Sequence, residues 1–415
     1  MAASTQLATL AWRNLWRNKL RTSIMLGAVV FGLVGVVAMI GFVAGLYSNM
    51  IQNAIAWQTS QLQIHNRHYL ENPDIQDTLL QPKVITDLLA TLPEVAAWSE
   101  RFIAEGMVAS ARANRGIRIN GVVPDQEVRV TPIAGAIVEG AWLDDQGRNP
   151  VLVSKKTAER LKLRLGSKIV LTFTDAQGDV AGAAFRVRGI FRTPSTNFDE
   201  GNLFVRHKDL AALAGLSGSH EIAVRLHEED YRAFDTVLAV KTRLQAVSDP
   251  GNRIRDWQQI QPLLASILGQ MGVSNAIIIG IYVVAMGFGI VNIMLMSVFE
   301  RTREFGVLMA VGMQKHRVFT LILLESAWLG VCGGLLGLLA GYALMQLLGY
   351  TGIALGTMAE GLGAFGADTL FYPRVTASEY ALIFVTVVAA SLLAALYPAR
   401  QILRKPPAEA MAEKH

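Results

Sequence analysis

Cysteine is nearly missing from this 415-residue chain, with Cys332 the single one. It sits inside an apolar run. That excludes a disulfide, a thiolate metal site and a lipid-anchored N-terminal cysteine. Charge is scarce too, at 17% Asp, Glu, Lys and Arg, against about 25% in soluble chains. Phosphate loops are lacking, because Gly166-Ser167-Lys168 has no upstream glycine at the required spacing. No zinc-hydrolase helix is present, since Leu226-His227-Glu228-Glu229 is not H-E-x-x-H. His65, His68 and Glu71 lie on a strand-to-loop segment, a poor geometry for ligands. The net charge of +5 is not gathered into a basic run with interleaved aromatics, so nucleic acid is excluded as a partner.

Apolar sequence is abundant: 52% of residues are hydrophobic and the mean hydropathy is +0.35. The excess lies at the two ends. Gln6 to Leu20 reads as an amphipathic helix, with Ala8, Trp12, Leu15 and Trp16 on one face and Arg13, Arg17 and Arg21 on another. Such a helix suits a lipid surface, with Trp at the interface and Arg towards phosphates. Thr22 to Tyr47 follows without a charge. As a helix it would reach roughly 39 Å, enough to cross a bilayer with tilt. The run is far longer than a signal-peptide core, so it reads as an uncleaved anchor. Gly41-x-x-x-Gly45 offers a close helix–helix contact. Further spans are read at Ser274 to Phe299, Val318 to Leu348 and Glu379 to Tyr397.

Basic residues sort these spans. Arg13, Arg17, Lys19 and Arg21 flank the first. Arg301, Arg303, Lys315 and Arg317 lie between the second and third, and Arg400, Arg404 and Lys405 follow the fourth. The connection from Gly349 to Ser378 holds only Arg374. The positive-inside rule then places both termini and the second-to-third loop in the cytoplasm, with residues 51–273 outside. The third span carries Gly330-x-x-x-Gly334 and Gly333-x-x-x-Gly337-x-x-x-Gly341, a face that admits a close helix from this chain or from a partner. It also carries Glu325. A carboxylate at that depth needs a partner. Asn292, at similar depth on the second span, is the expected one, joining the two spans. The competing reading is a local bond to backbone or to Ser326.

Glu300 to Arg317, ERTREFGVLMAVGMQKHR, is the loop between those spans. Phe305, Leu308, Met309 and Gly312 fall at i, i+3, i+4 and i+7, one stripe of a short helix. Such a helix lies on lipid or docks in a protein groove. Glu300-Arg301-Thr302-Arg303-Glu304, Gly306, Ala310, Gly312 and Glu325 resemble the corresponding loop and third span of FtsX-like permeases. Phe305 replaces the family's aliphatic residue, and Met309 stands where a basic residue is common. The close, Tyr397-Pro398-Ala399-Arg400 through Pro407-Ala408-Glu409-Ala410, is similar to the same family's. These are membrane subunits of the MacB and lipoprotein-release class of ABC transporters. The resemblance implies that Arg303, Glu304, Phe305, Gly306, Leu308, Met309 and Gly312 form a coupling helix on a separate ATPase.

Residues 51–273 alternate strand and helix signals. Phe102 to Ala109 and Gly116 to Val123 read as paired strands about Asn114-Arg115-Gly116. Lys168 to Thr174 and Ala183 to Phe191 flank an Asp175-to-Asp179 hairpin tip. A strand–helix unit near the start has a counterpart near the end, with a β-rich insert between. That order resembles the MacB-type periplasmic core: a porter-like subdomain with a small β-rich one inserted. The fold expected is thus a four-helix membrane protein with an inserted α+β periplasmic domain. It divides into residues 1–50 (amphipathic helix and first span), 51–273 (periplasmic core) and 274–415 (FtsX-like permease part).

Leu216-Ser217-Gly218-Ser219-His220 faintly echoes an ABC ATPase signature, but without a Walker motif it is a loop. The resemblance implies a non-enzymatic permease of the bacterial inner membrane, with ATP and Mg²⁺ held by a cytoplasmic ATPase subunit. Its other partners would be a second permease chain (as homo- or heterodimer), membrane lipid and a periplasmic protein. Lipoprotein or other lipid-linked cargo release is the activity implied. The alternatives are MacB-like efflux and FtsX-like regulation of a periplasmic hydrolase. The short, proline-free hairpin from Thr174 to Ala183 departs from the longer one that docks a carrier in the lipoprotein-release pair.

Overall fold

The computed structural model describes residues 2–69, 71–228, 230–356 and 361–404. Glu229, Lys405 and the Pro407-to-Ala410 close lie outside them. The chain forms two compact units. One comprises Met1–Leu46, Gly269–Ile353 and Tyr372–His415; the other comprises Tyr47–Leu268 and Ala354–Phe371. The segment Ala354–Phe371 therefore belongs with the inserted domain, although it is remote from residues 51–273 in sequence.

The first unit is helical. Among the described residues, four helices are long and apolar enough to cross a membrane: Lys19–Thr59, Pro262–Glu300, Lys315–Thr351 and Ala377–Gln401. Each runs beyond the apolar stretch read from sequence, because a helix continues into polar residues until its geometry is broken. The first ends in a π-turn, Ile55–Thr59, and the second begins at Pro262. The N-terminal helix Ala2–Arg17 precedes the first span, with a break at Asn18. One apolar core joins them all, including Leu15, Val29, Leu33, Ile290, Val298, Phe305, Ile322 and Val387.

Among the described residues, the main sheet of the second unit has ten strands: β1 Leu62–Asn66, β2 Val95–Ala109, β3 Asn114–Val122, β4 Ile137–Gly140, β5 Pro150–Ser154, β6 Lys168–Thr174, β7 Val180–Phe191, β8 Asn202–Arg206, β9 Glu221–Leu226 and β10 Asn252–Asp256. They pair in the order β10-β1-β9-β2-β3-β8-β5-β7-β4, and β6 bridges β2 and β7. β2, β3, β8, β5, β7 and β6 thereby close a ring of pairings. Its interior holds Phe102, Ile119, Val153, Leu171, Phe185 and Val205. Outside the ring, β9, β1 and β10 put Ile222, Ile64 and Ile254 against Ile85 and Leu89 of helix Pro82–Leu89 and Val240 and Leu244 of helix Phe234–Val247. The porter-like layer and the β-rich insert are thus one pairing network, joined by the long β2. The β2–β3 turn falls at residues 110–113, where Ser110 Oγ accepts from the Ala113 amide, rather than at Asn114-Arg115-Gly116.

Candidate functional site

The Glu300-to-Arg317 stretch folds as a short helix, Thr302–Ala310, after a break at Arg301 (φ −104, ψ 11). Thr302 Oγ1 donates to the Phe299 carbonyl at 2.8 Å. The C-terminal end is a Schellman motif. Met313 N–H bonds the Leu308 carbonyl (2.9 Å), Gly312 N–H bonds Met309 (3.1 Å), and Gly312 takes φ +105. Glycine enters the left-handed region without a Cβ penalty.

The structure reverses part of the expected stripe. Phe305 is 1% exposed and packs in the bundle core, and Gly306 beside it is buried. Leu308 and Met309 are half-buried against the same core. A phenyl ring is too large to be left in solvent when Val298, Val318 and Ile322 offer it a site. The outward face is instead Arg303, Glu304, Val307 and Val311, with Gly312 exposed at the end. Val307 and Val311 are 46% and 84% exposed, one turn apart.

Ion pairs fix the start of the helix. Arg301 Nη1 donates to both Glu325 oxygens, at 3.1 and 2.9 Å, and its Nε donates to Glu304 at 3.0 Å. The Arg301 guanidinium also lies 5.0 Å from the Phe305 ring centroid. Asn14 of the N-terminal helix donates to Glu325 at 2.8 Å, Arg17 pairs with Glu304, and Arg21 pairs with Glu300 at 3.1 Å. Burial alone would raise the Glu304 carboxyl. The hydrogen bonds from Arg17 and Arg301 outweigh it and hold that carboxyl below its ordinary value.

The expected Glu325–Asn292 pair is therefore not formed, and Asn292 is exposed. A guanidinium offers a charged, bidentate match to carboxylate that an amide cannot. Ser326 is likewise no partner of Glu325; it donates to the Ser391 carbonyl at 2.6 Å. Nor are Arg17 and Arg21 left for phosphates. One signal for their pairs was in the sequence: two basic residues four apart, Arg17 and Arg21, and two acidic residues four apart, Glu300 and Glu304, each pair straddling a helix break.

The glycine face of the third span resolves into two contacts within this chain. A Cβ on Gly333, Gly337 or Gly341 would meet Val29, Leu33 or Val37 of the first span at 2.7, 2.6 and 3.1 Å. One on Gly330 or Gly334 would meet Ser391 or Phe384 of the fourth at 2.7 and 3.1 Å.

The second unit has a buried charged centre that the sequence did not disclose. Arg101 donates twice to Glu127 (3.0 and 2.7 Å) and once to Glu221 (2.6 Å). Glu221 also receives Gln63 and His65, each at 3.1 Å. Burial would raise the Glu221 carboxyl, but Arg101, His65 and Arg118 hold it at about 2. These groups line a cavity of about 170 Å³ whose buried charges are matched by one another, the pattern of a structural centre. Nearby, His207 Nε2 and Glu100 both meet Ser219 Oγ, at 3.1 and 2.9 Å. Glu100 bonds the serine and not the histidine, so this is not the order of a hydrolytic triad. Among the described residues no group of three His, Cys, Asp or Glu is placed to hold a metal.

Residues 22–237 match the family model of the MacB-like periplasmic core domain, over half of the chain, and residues 276–407 match that of the FtsX-like permease C-terminal domain. The chain belongs to the MacB/FtsX family of ABC transporter permeases. It is similar to the lipoprotein-releasing system transmembrane protein LolC of Xylella fastidiosa, 22% identical over 78% of this chain and 79% of that protein. It is also similar to the macrolide export ATP-binding/permease protein MacB of Hyphomonas neptunium, 24% identical over 100% of this chain. Of that longer protein it spans 62%. Among solved structures, the periplasmic region of MacB from Actinobacillus actinomycetemcomitans aligns with 52% of this chain and 97% of its own length, at 13% identity and a TM-score of 0.36. As a member of this permease family the chain is a membrane-spanning, non-catalytic component.

Proposed function

We propose that this permease passes ATP-driven motion from a separate cytoplasmic ATPase subunit to residues 51–273 on the outer side of the bacterial inner membrane. Nucleotide and Mg²⁺ are held by the ATPase and not by this chain. Two permease chains pair, and both termini and the helix Thr302–Ala310 face the cytoplasm. The cargo is a lipoprotein or another lipid-linked molecule, as the likeness to LolC suggests. Efflux is the second reading, favoured by the match to MacB along the whole chain.

The observation that carries the coupling role is the mounting of helix Thr302–Ala310. Arg301 and Glu304 tie it to Glu325 on the third span and to Arg17 before the first, while Val307 and Val311 are exposed. A push on that outer face reaches both spans through charged hydrogen bonds rather than through a loose loop. The test is to replace Val307 and Val311 together by Asp and co-express the chain with its ATPase. The variant should insert normally and lose most of the bound ATPase, because two buried valines contribute roughly 1.5–3 kcal/mol each. Full retention of the ATPase would remove this face from the interface.

A further inference from the structure

The helix of the first span carries Gly41, Gly45, Asn49 and Asn53 at successive spacings of four, so they form one stripe. Within each unit, residues of the stretch from Gly366 to Val375, between the third and fourth spans, contact that stripe. In the helical unit, a Cβ on Gly45 would come within 2.7 Å of both Pro373 Cα and the Tyr372 carbonyl, and the Arg374 amide donates to the Gly41 carbonyl at 3.3 Å. Gly45 thus admits extended backbone, while a Cβ on Gly41 would also meet Met345 of the third-span helix at 2.5 Å. In the other unit, Asp368 is clasped. Its carboxylate accepts from Asn49 at 3.0 Å and from Asn53 at 3.1 Å, and its amide donates to Asn49 Oδ1 at 2.9 Å. Asn53 also donates to the Gly366 carbonyl at 2.8 Å.

We infer that Asn49, Asn53 and Asp368 are positioning residues for force transmission. They bind the third-to-fourth-span connection to the first-span helix, so that these spans move the domain as one strut. The inference rests on the mechanical reading above. Two strands of chain run covalently from one unit into the other here: the first-span helix and the stretch through Asp368 to Tyr372. Joined side by side by hydrogen bonds to a carboxylate, they resist bending more than either alone. Loose, the connection would follow the third and fourth spans without load.

The experiment uses the full chain with its ATPase in lipid nanodiscs and reads hydrogen exchange with and without ATP. Asn49→Asp sets two carboxylates against each other. Asn49→Asp with Asp368→Asn restores a carboxylate–amide pair in the opposite sense. In Asn49→Asp, exchange across residues 366–369 should quicken about tenfold, the size expected for losing a charged hydrogen bond. The ATP-dependent change in the domain's exchange should disappear, with ATPase binding and hydrolysis retained, and the double variant should recover both. Asp368→Ala serves if Asn49→Asp does not fold, and should show the same loss. An ATP response that survives the opened clasp overturns the inference, as does a double variant no better than the single. Failure of the wild-type chain to bind any ATPase would instead overturn the reading beneath it.

Discussion

Arg301 and Glu325 carry the largest correction at the scale of single residues. A carboxylate on the third span had to find a partner, and the sequence pointed to Asn292 by depth alone. Depth says nothing of which way a side chain faces. Arg301 stands at a break between two helices, and only the bent backbone turns its guanidinium towards Glu325. A cycle of Arg301→Gln and Glu325→Gln should therefore be non-additive in thermal stability by about 1–3 kcal/mol, as for contacting charges. The cycle of Asn292→Leu with Glu325→Gln should be additive. A large coupling in the second cycle would show that Glu325 faces Asn292 in the functioning protein. Removing one partner alone should be the more damaging change, because it leaves a charge buried without its match.

Elements were legible from sequence where periodicity and chemistry agree. Each span appeared as a long apolar run, and the short helix between the second and third was marked by its stripe. What the stripe faced was not legible, because an apolar face packs equally well on its own chain or on a partner. Phe305 went inward, and Val307 and Val311 were left outside. The glycines of the third span raised the same ambiguity, resolved by the Val29, Leu33 and Val37 side chains seated on them. Gly337→Leu should accordingly disrupt packing inside the permease, lowering its melting temperature in detergent. Overpacking of this kind costs about 1–3 kcal/mol. A stable variant with altered oligomeric state would move that face to an interface between chains. The buried Arg101–Glu221 centre was hidden for another reason: its residues come from β1, β2, β9 and the helix Pro124–Val130, and only strand pairing brings them together.

For the whole molecule, the positive-inside reading makes a sharp claim that side-specific labelling can check. With Cys332 replaced by Ala, cysteines at Gly178 and at Gln314 should react with a membrane-impermeant thiol reagent from opposite faces. Gly178 lies at the β6–β7 hairpin tip and Gln314 just before the third span, and the sequence has no other thiol. Labelling of both from one side would overturn the layout of all four spans at once.

The closed ring of strands bears on how the domain breaks. The β6–β7 tip is held by its own turn, with Asp175 Oδ1 accepting from the amides of Gln177 and Asp179, both at 2.9 Å. It is also the place where a protease would find the backbone outermost in that hairpin. A nick there frees nothing. The upstream end stays laced to β2 and β7 through β6, and the downstream end to β5 and β4 through β7. The two pieces should migrate as one body until denaturant separates them, so a cleaved domain would still keep its shape.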